Sequence, residues 1–297
     1  MSRGNLPALR VLAASLAALF CARAPAFGLD WPVAVKVITG TFGEDRGDHF
    51  HNGIDIGGGG QEVHPVLPGE LVFRYDEGAD FSSMPRGVGS FVVLHHEQDI
   101  LSLYGHLQNG SLGPERASYV PADRLGLIGD TGHADALHLH FAVFDDEAGS
   151  TINPLAFLPP LADHQPPVIR HVLVAAGDQR QALENGAVLK PGSSEILVEV
   201  YDLREDVPFS WPLAPASVRV SVDGTEVSRI SFDSLQVAEG RAVLSGTTLS
   251  LGRVYDSAGY LRCGSVELRP GASSLRISAR DLAGNEAVKT ISFSIHE

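Results

Sequence analysis

The hydrophobic and polar positions of this chain alternate over short distances, in the manner that predicts β-strands rather than helices. In the first half, apolar runs of strand length contain β-branched or aromatic residues and end at Gly, Asp or Pro. No amphipathic helical pattern separates them. Two longer connections, 76–89 and 109–124, are of the length that often forms the rim of a binding groove. The predicted strands are 69–75, 90–97, 100–107, 125–129 and 137–144.

Five prolines between Pro154 and Pro167 divide the pattern and predict a domain boundary, with a linker over 161–167. Residues 168–297 then contain seven or eight further strand-length runs. The segment "RDLAGNEAV" resembles the last hairpin of immunoglobulin-like bacterial extracellular domains. We therefore predict an all-β, mainly antiparallel protein, in which a β-sheet domain (28–160) precedes an immunoglobulin-like β-sandwich (168–297).

The N-terminus has the order of segments expected of a secretory signal peptide. Arg3 and Arg10 precede an apolar run over 11–21, and Ala-Pro-Ala follows at 24–26. That run is shorter than the roughly 20 residues that span a bilayer, which disfavours a retained anchor. A lipoprotein signal ending at Cys21 is the alternative, but Phe20 stands where such signals need a small residue. Residues 1–26 are thus predicted to be removed, which leaves an exported chain, periplasmic or extracellular, without a membrane span.

The charge of the chain indicates which partners to expect, and its cysteine content indicates whether an internal disulfide can form. The formal charge of −14 becomes −17 once the three arginines of residues 1–26 are removed. A strongly acidic chain is a poor ligand for nucleic acid or an anionic membrane surface, so neither is expected as a partner. Cys263 is then the single remaining cysteine, so no internal disulfide is expected even in an exported protein.

Histidine is concentrated in the first half, where nine of the chain's twelve histidines lie between positions 49 and 140. His138 and His140 of "HLHF" are two residues apart on a predicted strand and so share a face. In "HNGID" the Asn-Gly pair favours a tight turn that would bring His51 and Asp55 together. Each of these fragments also occurs by chance as ordinary surface residues.

Together the fragments form a recognisable ligand set. His51, Asp55 and one histidine of "HLHF" supply two imidazoles and one carboxylate, the three-ligand arrangement of a catalytic zinc with a position open for water. Zinc in such a site acidifies the bound water until it is a usable nucleophile. His106, which follows a predicted strand in "LYGHL", and the other "HLHF" histidine have the pKa range for proton transfer.

The segments "FGEDRGDHFHNGIDI", "LYGHL" and "TGHADALHLHFAVF", in this order, resemble the lysostaphin/LytM-type zinc metallopeptidases, which cleave peptide bonds in bacterial peptidoglycan. The likeness covers residues 38–158 and implies the duplicated-hybrid-motif fold of that family. It also implies one Zn²⁺ with His51, Asp55 and His140 as ligands, and His106 and His138 as catalytic residues.

The resemblance implies an exported zinc metalloendopeptidase that hydrolyses cross-links or stem peptides of peptidoglycan. The chain differs from the family pattern at Ala134, Ala136 and Ala142. These differences put substrate preference in question rather than metal binding. No substrate-binding residue is assigned. The alternative is a non-catalytic peptidoglycan-binding protein or an activator of another hydrolase, with a regulatory protein partner. Family members of that kind usually lack some metal ligands. A structural zinc in a surface protein is disfavoured, because such sites usually have four protein ligands.

Overall fold

The computed structural model describes residues 28–79, 87–205 and 211–297. The predicted signal peptide lies outside these ranges. Within them the chain is almost entirely β, in mainly antiparallel sheets, as the alternation predicts. The described helices are a single α-turn, α1 (Leu251–Val254), and two 3₁₀ turns, Glu97–Asp99 and Pro154–Ala156. Among the described residues, none of these helices has the length and apolarity to cross a bilayer.

Ten strands form in the first half, and the five predicted ones are among them. The strands that prediction missed are short. The ten are β1 (Val37–Gly40), β2 (Ile54–Gly57), β3 (Glu62–Val63), β4 (Gly69–Tyr75), β5 (Ser90–His96), β6 (Ile100–Leu107), β7 (Ser118–Tyr119), β8 (Gly126–Leu127), β9 (His138–Asp145) and β10 (Ser150–Ile152).

Eleven strands are described in the second half, and all the predicted runs lie within or overlap them. They are β11 (Val168–Ala176), β12 (Gln179–Ala182), β13 (Val188–Leu189), β14 (Gly192–Tyr201), β15 (Ser217–Val222), β16 (Thr225–Ser231), β17 (Ser234–Ala238), β18 (Arg241–Leu244), β19 (Leu261–Leu268), β20 (Gly271–Arg280) and β21 (Glu286–Ile295).

Strand β9 is the centre of the first domain's sheet. One edge of β9 pairs with β6, and the sheet continues through β5 and β4 to β7. The other edge of β9 pairs with β2 over residues 138–141 and with β10 over residues 143–145. The buried core beneath includes Ile54, Tyr104 and Phe141. Because β9 has a partner on both sides, its side chains are held in a fixed register.

The second half forms two facing sheets, ordered β12-β11-β14-β19 and β13-β21-β20-β15-β16. All pairs within them are antiparallel except β13 with β21. Strand β20 shows the alternation that the sequence predicts: Leu275, Ile277 and Ala279 are buried, while Arg276 and Arg280 are exposed. Burial of one face of each sheet against the other is the packing of a β-sandwich.

The two halves share a sheet and exchange core residues. Strands β17 and β18, which follow the sandwich strand β16, extend the first domain's sheet through the pairing of β17 with β10. Phe42 and Phe50 of the first half belong to the buried cluster of the second, and Leu213 of the second half belongs to the cluster of the first. This junction therefore fixes the position of the loop 41–51, from which both phenylalanines project.

Gly43 lies at the tightest point of the junction, and its replacement tests how much this packing contributes. Its φ is +86°, and a Cβ there would collide with the ring of Phe232. Gly47, in the same loop with φ +89°, has nothing near its Cβ position. We expect Gly47→Ala to cost about 1 kcal/mol of unfolding free energy from backbone strain, and Gly43→Ala to cost about 1–3 kcal/mol more from overpacking. Equal losses in chemical denaturation would contradict the tight junction.

Candidate metal centre

Neighbouring strands bring the predicted ligands to one place. In the register of β2 with β9, Asp55 is directly opposite His140, and Gly57 is opposite His138. On the other edge of β9, Gly105 at the end of β6 is opposite His140, so His106 follows immediately beside it. The i, i+2 spacing of "HLHF" thus places His138 and His140 on the same face of the sheet.

Three ligand atoms converge at this face. Nε2 of His51 lies 3.0 Å from Oδ1 of Asp55 and 3.1 Å from Nδ1 of His140, and the latter two atoms are 3.2 Å apart. All three residues are buried, with 4, 5 and 7% of their surface exposed, respectively. Separations this small among three nitrogen and oxygen atoms require a proton or a cation between them.

The tautomer of His51 favours a cation rather than a proton between the three ligand atoms. Its Nδ1 lies 2.8 Å from the carbonyl oxygen of Thr41, so Nδ1 carries the hydrogen and Nε2 presents a lone pair to the cluster. Burial lowers the pKa of His140 more than the bond to Asp55 raises it, so its ring is also neutral at pH 7. Two lone pairs and a carboxylate then face one point.

The donor set fits zinc. Nitrogen and oxygen ligands about 2.0–2.2 Å from a tetrahedral zinc lie roughly 3.3 Å from one another, close to the separations in the cluster. Two imidazoles and one carboxylate are also the ligand types that catalytic zinc sites use, with one position left for water or substrate. The cluster therefore accommodates Zn²⁺ with little movement.

Arg46 orients the carboxylate of Asp55. Its Nη2 lies 2.7 Å from Oδ2 of Asp55 and 3.0 Å from Oε2 of Glu44. Burial by itself would raise the pKa of Asp55, but its interactions with His140 and His51 outweigh burial and hold that pKa well below its usual range. Asp55 is thus an ionised ligand at any physiological pH, with Oδ1 turned towards the histidines.

His106 and His138 flank the three-residue cluster. The ring centroid of His106 lies 4.7 Å from that of His138 and 5.9 Å from that of His140. Nδ1 of His106 donates to the carbonyl of Thr131 at 2.7 Å, and Nδ1 of His138 donates to that of Ala136 at 2.8 Å. Both rings therefore keep Nε2 for proton exchange, and Nε2 of His138 is 3.5 Å from Oδ1 of Asp55.

The environment of His106 keeps it neutral. Burial lowers its pKa to about 4, although the bond to Thr131 opposes this shift. Its φ of +57° lies in the left-handed region, which is uncommon for a residue other than glycine. A backbone held in that region at a cluster of titratable groups is typical of functional sites.

The tight turn expected at Asn52-Gly53 is not the means by which His51 approaches Asp55. Residues 51–53 form an open bend, and His51 is held by the loop 41–51 instead. The amide of Gly43 donates to the carbonyl of His51, and the amide of His51 donates to that of Glu44, both at 2.8 Å. Glycine at 53 serves a different purpose, because a Cβ there would meet the ring of His140.

Sequence reasoning assigned no role to Arg46, Thr41 or Thr131, although each supports a residue of the site. Arg46 stands five positions before His51 in a segment that the resemblance already included. Thr41 and Thr131 act through backbone carbonyls, which leave no signal in a sequence. Of the three alanines that depart from the family pattern, Ala142 is buried in β9 and Ala136 contributes its carbonyl to His138.

The two predicted loops meet beside the cluster. Glu77 from the first and Asn109 from the second line an open polar depression together with residues 130–132. Its floor includes Thr131, whose carbonyl holds His106. The depression therefore lies next to the residue that holds His106.

Comparison with protein families identifies the first domain. Residues 49–154 match the model of Peptidase family M23, and the match includes all five predicted site residues. A second family model, which carries no functional description, matches residues 166–296.

Curated relatives match part of the chain. The murein hydrolase activator NlpD of Escherichia coli (strain K12) is 32% identical over 130 residues, which are 43% of this chain and 31% of that protein. Outer membrane antigenic lipoprotein B of Haemophilus influenzae is 27% identical over 130 residues, 43% of this chain and 29% of that protein. The chain thus spans about a third of the length of these relatives.

Among solved structures, a zinc containing peptidase from Vibrio cholerae is similar, with 22% identity and a TM-score of 0.35. The alignment covers 45% of this chain and 40% of that one. The similarity is again partial.

Proposed function

The first half of this chain contains an M23 peptidase domain of the LytM/lysostaphin type, and from this premise we propose that the protein is a zinc metalloendopeptidase acting on peptidoglycan peptides. The observation that carries the proposal is the convergence of Nε2 of His51, Oδ1 of Asp55 and Nδ1 of His140 beside two further histidines. A site with three protein ligands and adjacent proton carriers suits hydrolysis better than a purely structural role.

In this proposal His51, Asp55 and His140 hold one Zn²⁺. When bound, zinc polarises the scissile carbonyl and acidifies water to serve as the nucleophile. His106 and His138 accept and return protons at Nε2, and they stabilise the negative charge that develops on the carbonyl oxygen. Arg46 keeps the carboxylate of Asp55 correctly turned, and Thr41 fixes the tautomer of His51.

The names of the relatives support the cell envelope as location and peptidoglycan as substrate. NlpD is described as a murein hydrolase activator, and the Haemophilus protein as an outer membrane lipoprotein. An exported, periplasmic or extracellular chain agrees with the signal-peptide pattern of residues 1–26. We therefore propose stem peptides or cross-links of peptidoglycan as the substrate class.

A second function has specific support. Because the relative at 32% identity is named as an activator, this protein could instead switch on another cell-wall hydrolase through direct contact. That function requires a protein partner and does not require turnover at the metal cluster. The two functions differ in whether the purified protein alone cuts peptide bonds.

The deciding experiment digests purified peptidoglycan sacculi with the chain lacking residues 1–26, with and without a zinc chelator. Mass spectrometry of the released fragments identifies any bond that is cut. Loss of cross-linked dimers, blocked by chelator and restored by added zinc, is the expected result. If zinc is bound stoichiometrically and no fragment is released from several wall types, the peptidase proposal fails. Stimulation of a separate cell-wall hydrolase by the same preparation would then establish the activator function.

A further inference from the structure

A second group of potential ligands lies in the junction, away from the histidines. Asp163 comes from the predicted linker, Asp202 follows β14, and Asp281 follows β20. Each offers a carboxylate oxygen, and these oxygens lie within 4.8 Å of one another. The three residues are buried, with 8, 6 and 7% of their surface exposed, respectively. Three segments that are distant in sequence thus meet through acidic groups inside the protein.

The charges of this cluster are incompletely compensated by its described neighbours. Nη1 of Arg204 lies 3.3 Å from Oδ2 of Asp163 and offsets one carboxylate. Asp281 accepts hydrogen bonds at 2.8 Å from the amide and the side chain of Asn285, which are neutral donors. Three buried carboxylates with one guanidinium beside them place an excess of negative charge where water is largely excluded, which is costly without a proton or a further cation.

Asp202 supplies an independent indication of a ligand. Its Oδ1 is buried and has no hydrogen-bond partner among the described residues. It lines a cavity of about 30 Å³ together with Asp163 and Asp281. A buried carboxylate oxygen rarely lacks a partner, because an unmade hydrogen bond to a charged group is expensive. Burial, and then the charges of Asp281 and Asp163, raise the pKa of Asp202 to about 7.

We propose that Asp163, Asp202 and Asp281 bind a hard divalent cation, Ca²⁺, at the junction of the two domains. The donor atoms are all carboxylate oxygens, which Ca²⁺ prefers and which zinc sites with histidine or cysteine do not resemble. A cation of charge +2 offsets the excess negative charge of the three carboxylates and gives Oδ1 of Asp202 a partner. The oxygens of Asp281 retain lone pairs for the cation while they accept from Asn285.

The site is connected to the metal centre through backbone contacts. Asp202 exchanges two hydrogen bonds with Leu213, at 2.8 and 3.0 Å. The next residue, Ala214, donates its amide to Oγ1 of Thr41 at 2.9 Å. The carbonyl of Thr41 in turn accepts from Nδ1 of His51. A cation at the junction would therefore hold the segment that positions Thr41 and stabilise the whole arrangement of the two domains.

The test measures Ca²⁺ binding to metal-stripped protein by isothermal titration calorimetry and the accompanying change in Tm. It is done with one equivalent of Zn²⁺ present, and repeated on His140→Ala, so that the histidine cluster does not contribute. We expect one Ca²⁺ per chain and a rise in Tm on binding. Asp202→Asn, which is isosteric, should weaken the affinity by at least about tenfold, because affinity follows the charge of the ligands.

The matched control is Asp223→Asn, which changes an exposed carboxylate in the same domain and should leave the affinity unaltered. Absence of binding at 5 mM Ca²⁺ to folded wild-type protein, about the weak limit for extracellular calcium sites, would overturn the proposal. An affinity unaffected by Asp202→Asn would do the same, with Asp281→Asn as the substitute variant if the first does not fold. If Asp202→Asn raises the Tm and wild-type protein takes up no Ca²⁺, a proton rather than a cation reduces the negative charge of the cluster, and the proposal is wrong.

Discussion

His140→Ala is expected to eliminate stoichiometric zinc and to reduce peptide-bond cleavage by roughly 1,000-fold or more. Nδ1 of His140 lies within 3.2 Å of both other ligand atoms, so its loss leaves two protein ligands for the metal. Zinc contributes several kcal/mol to stabilising the transition state, and each 1.4 kcal/mol is a factor of ten in rate. Metal analysis of the purified variant and the sacculus digest measure the two effects.

His133→Ala is the matched control for this substitution. His133 is an exposed histidine seven residues earlier in the chain, and it should be replaceable without loss of zinc or of activity. Retention of both zinc and cleavage by His140→Ala would show that the ligand assignment is wrong. Retention of zinc without cleavage would instead assign His140 a role in the reaction and require another ligand.

His106→Asn is expected to keep the zinc and lower kcat by about 10²–10⁴-fold, the contribution typical of a positioned general acid or base. Asparagine tolerates the left-handed backbone at this position better than other residues do, so the fold should persist. Zinc content, Tm and the rate of dimer loss are measured on the same preparation. An activator that does not turn over substrate would retain full activation in this variant.

His64→Asn controls for loss of a half-buried ring bound to a carbonyl, since Nδ1 of His64 lies 2.8 Å from the carbonyl of Asp123. It should leave kcat unchanged. An equal loss of activity in both variants would point to general destabilisation rather than to proton transfer. Unchanged kcat in His106→Asn would remove His106 from the mechanism.

The strands were largely predictable because their alternation reports directly which face is buried. The run at 100–107, for example, coincides with β6. The short strands were not, since two- to four-residue elements such as β3 and β10 carry too little pattern. Strands β17 and β18 join a sheet whose other members are more than 80 residues earlier, and the pairing of β17 with β10 is set by tertiary packing rather than by the sequence of β17.

Five candidate site residues, four histidines and one aspartate, could be singled out because side-chain chemistry and spacing are visible in a sequence. The resemblance alone separated His140 from His138, and the roles of all five stay predictions. The residues that hold these side chains in position were not predictable. The carbonyls of Thr41 and Thr131 become hydrogen-bond acceptors through backbone position, which any residue type could provide. The cluster of Asp163, Asp202 and Asp281 draws on three separate segments, and none of these aspartates stands in a metal-binding motif.

The sheet that the two halves share also limits when, during synthesis, the metal cluster can form. Synthesis proceeds from the N-terminus, so the first half is complete while the strands that extend its sheet at β10 have not yet been made. Phe42 and Phe50, which flank the loop carrying Arg46, have no core to enter until the second half has folded. Strands β20 and β21, which come later still in the chain, contribute residues that close that core. A chain truncated before them would therefore lack a settled position for His51, so that the metal cluster would form only after the second half has folded.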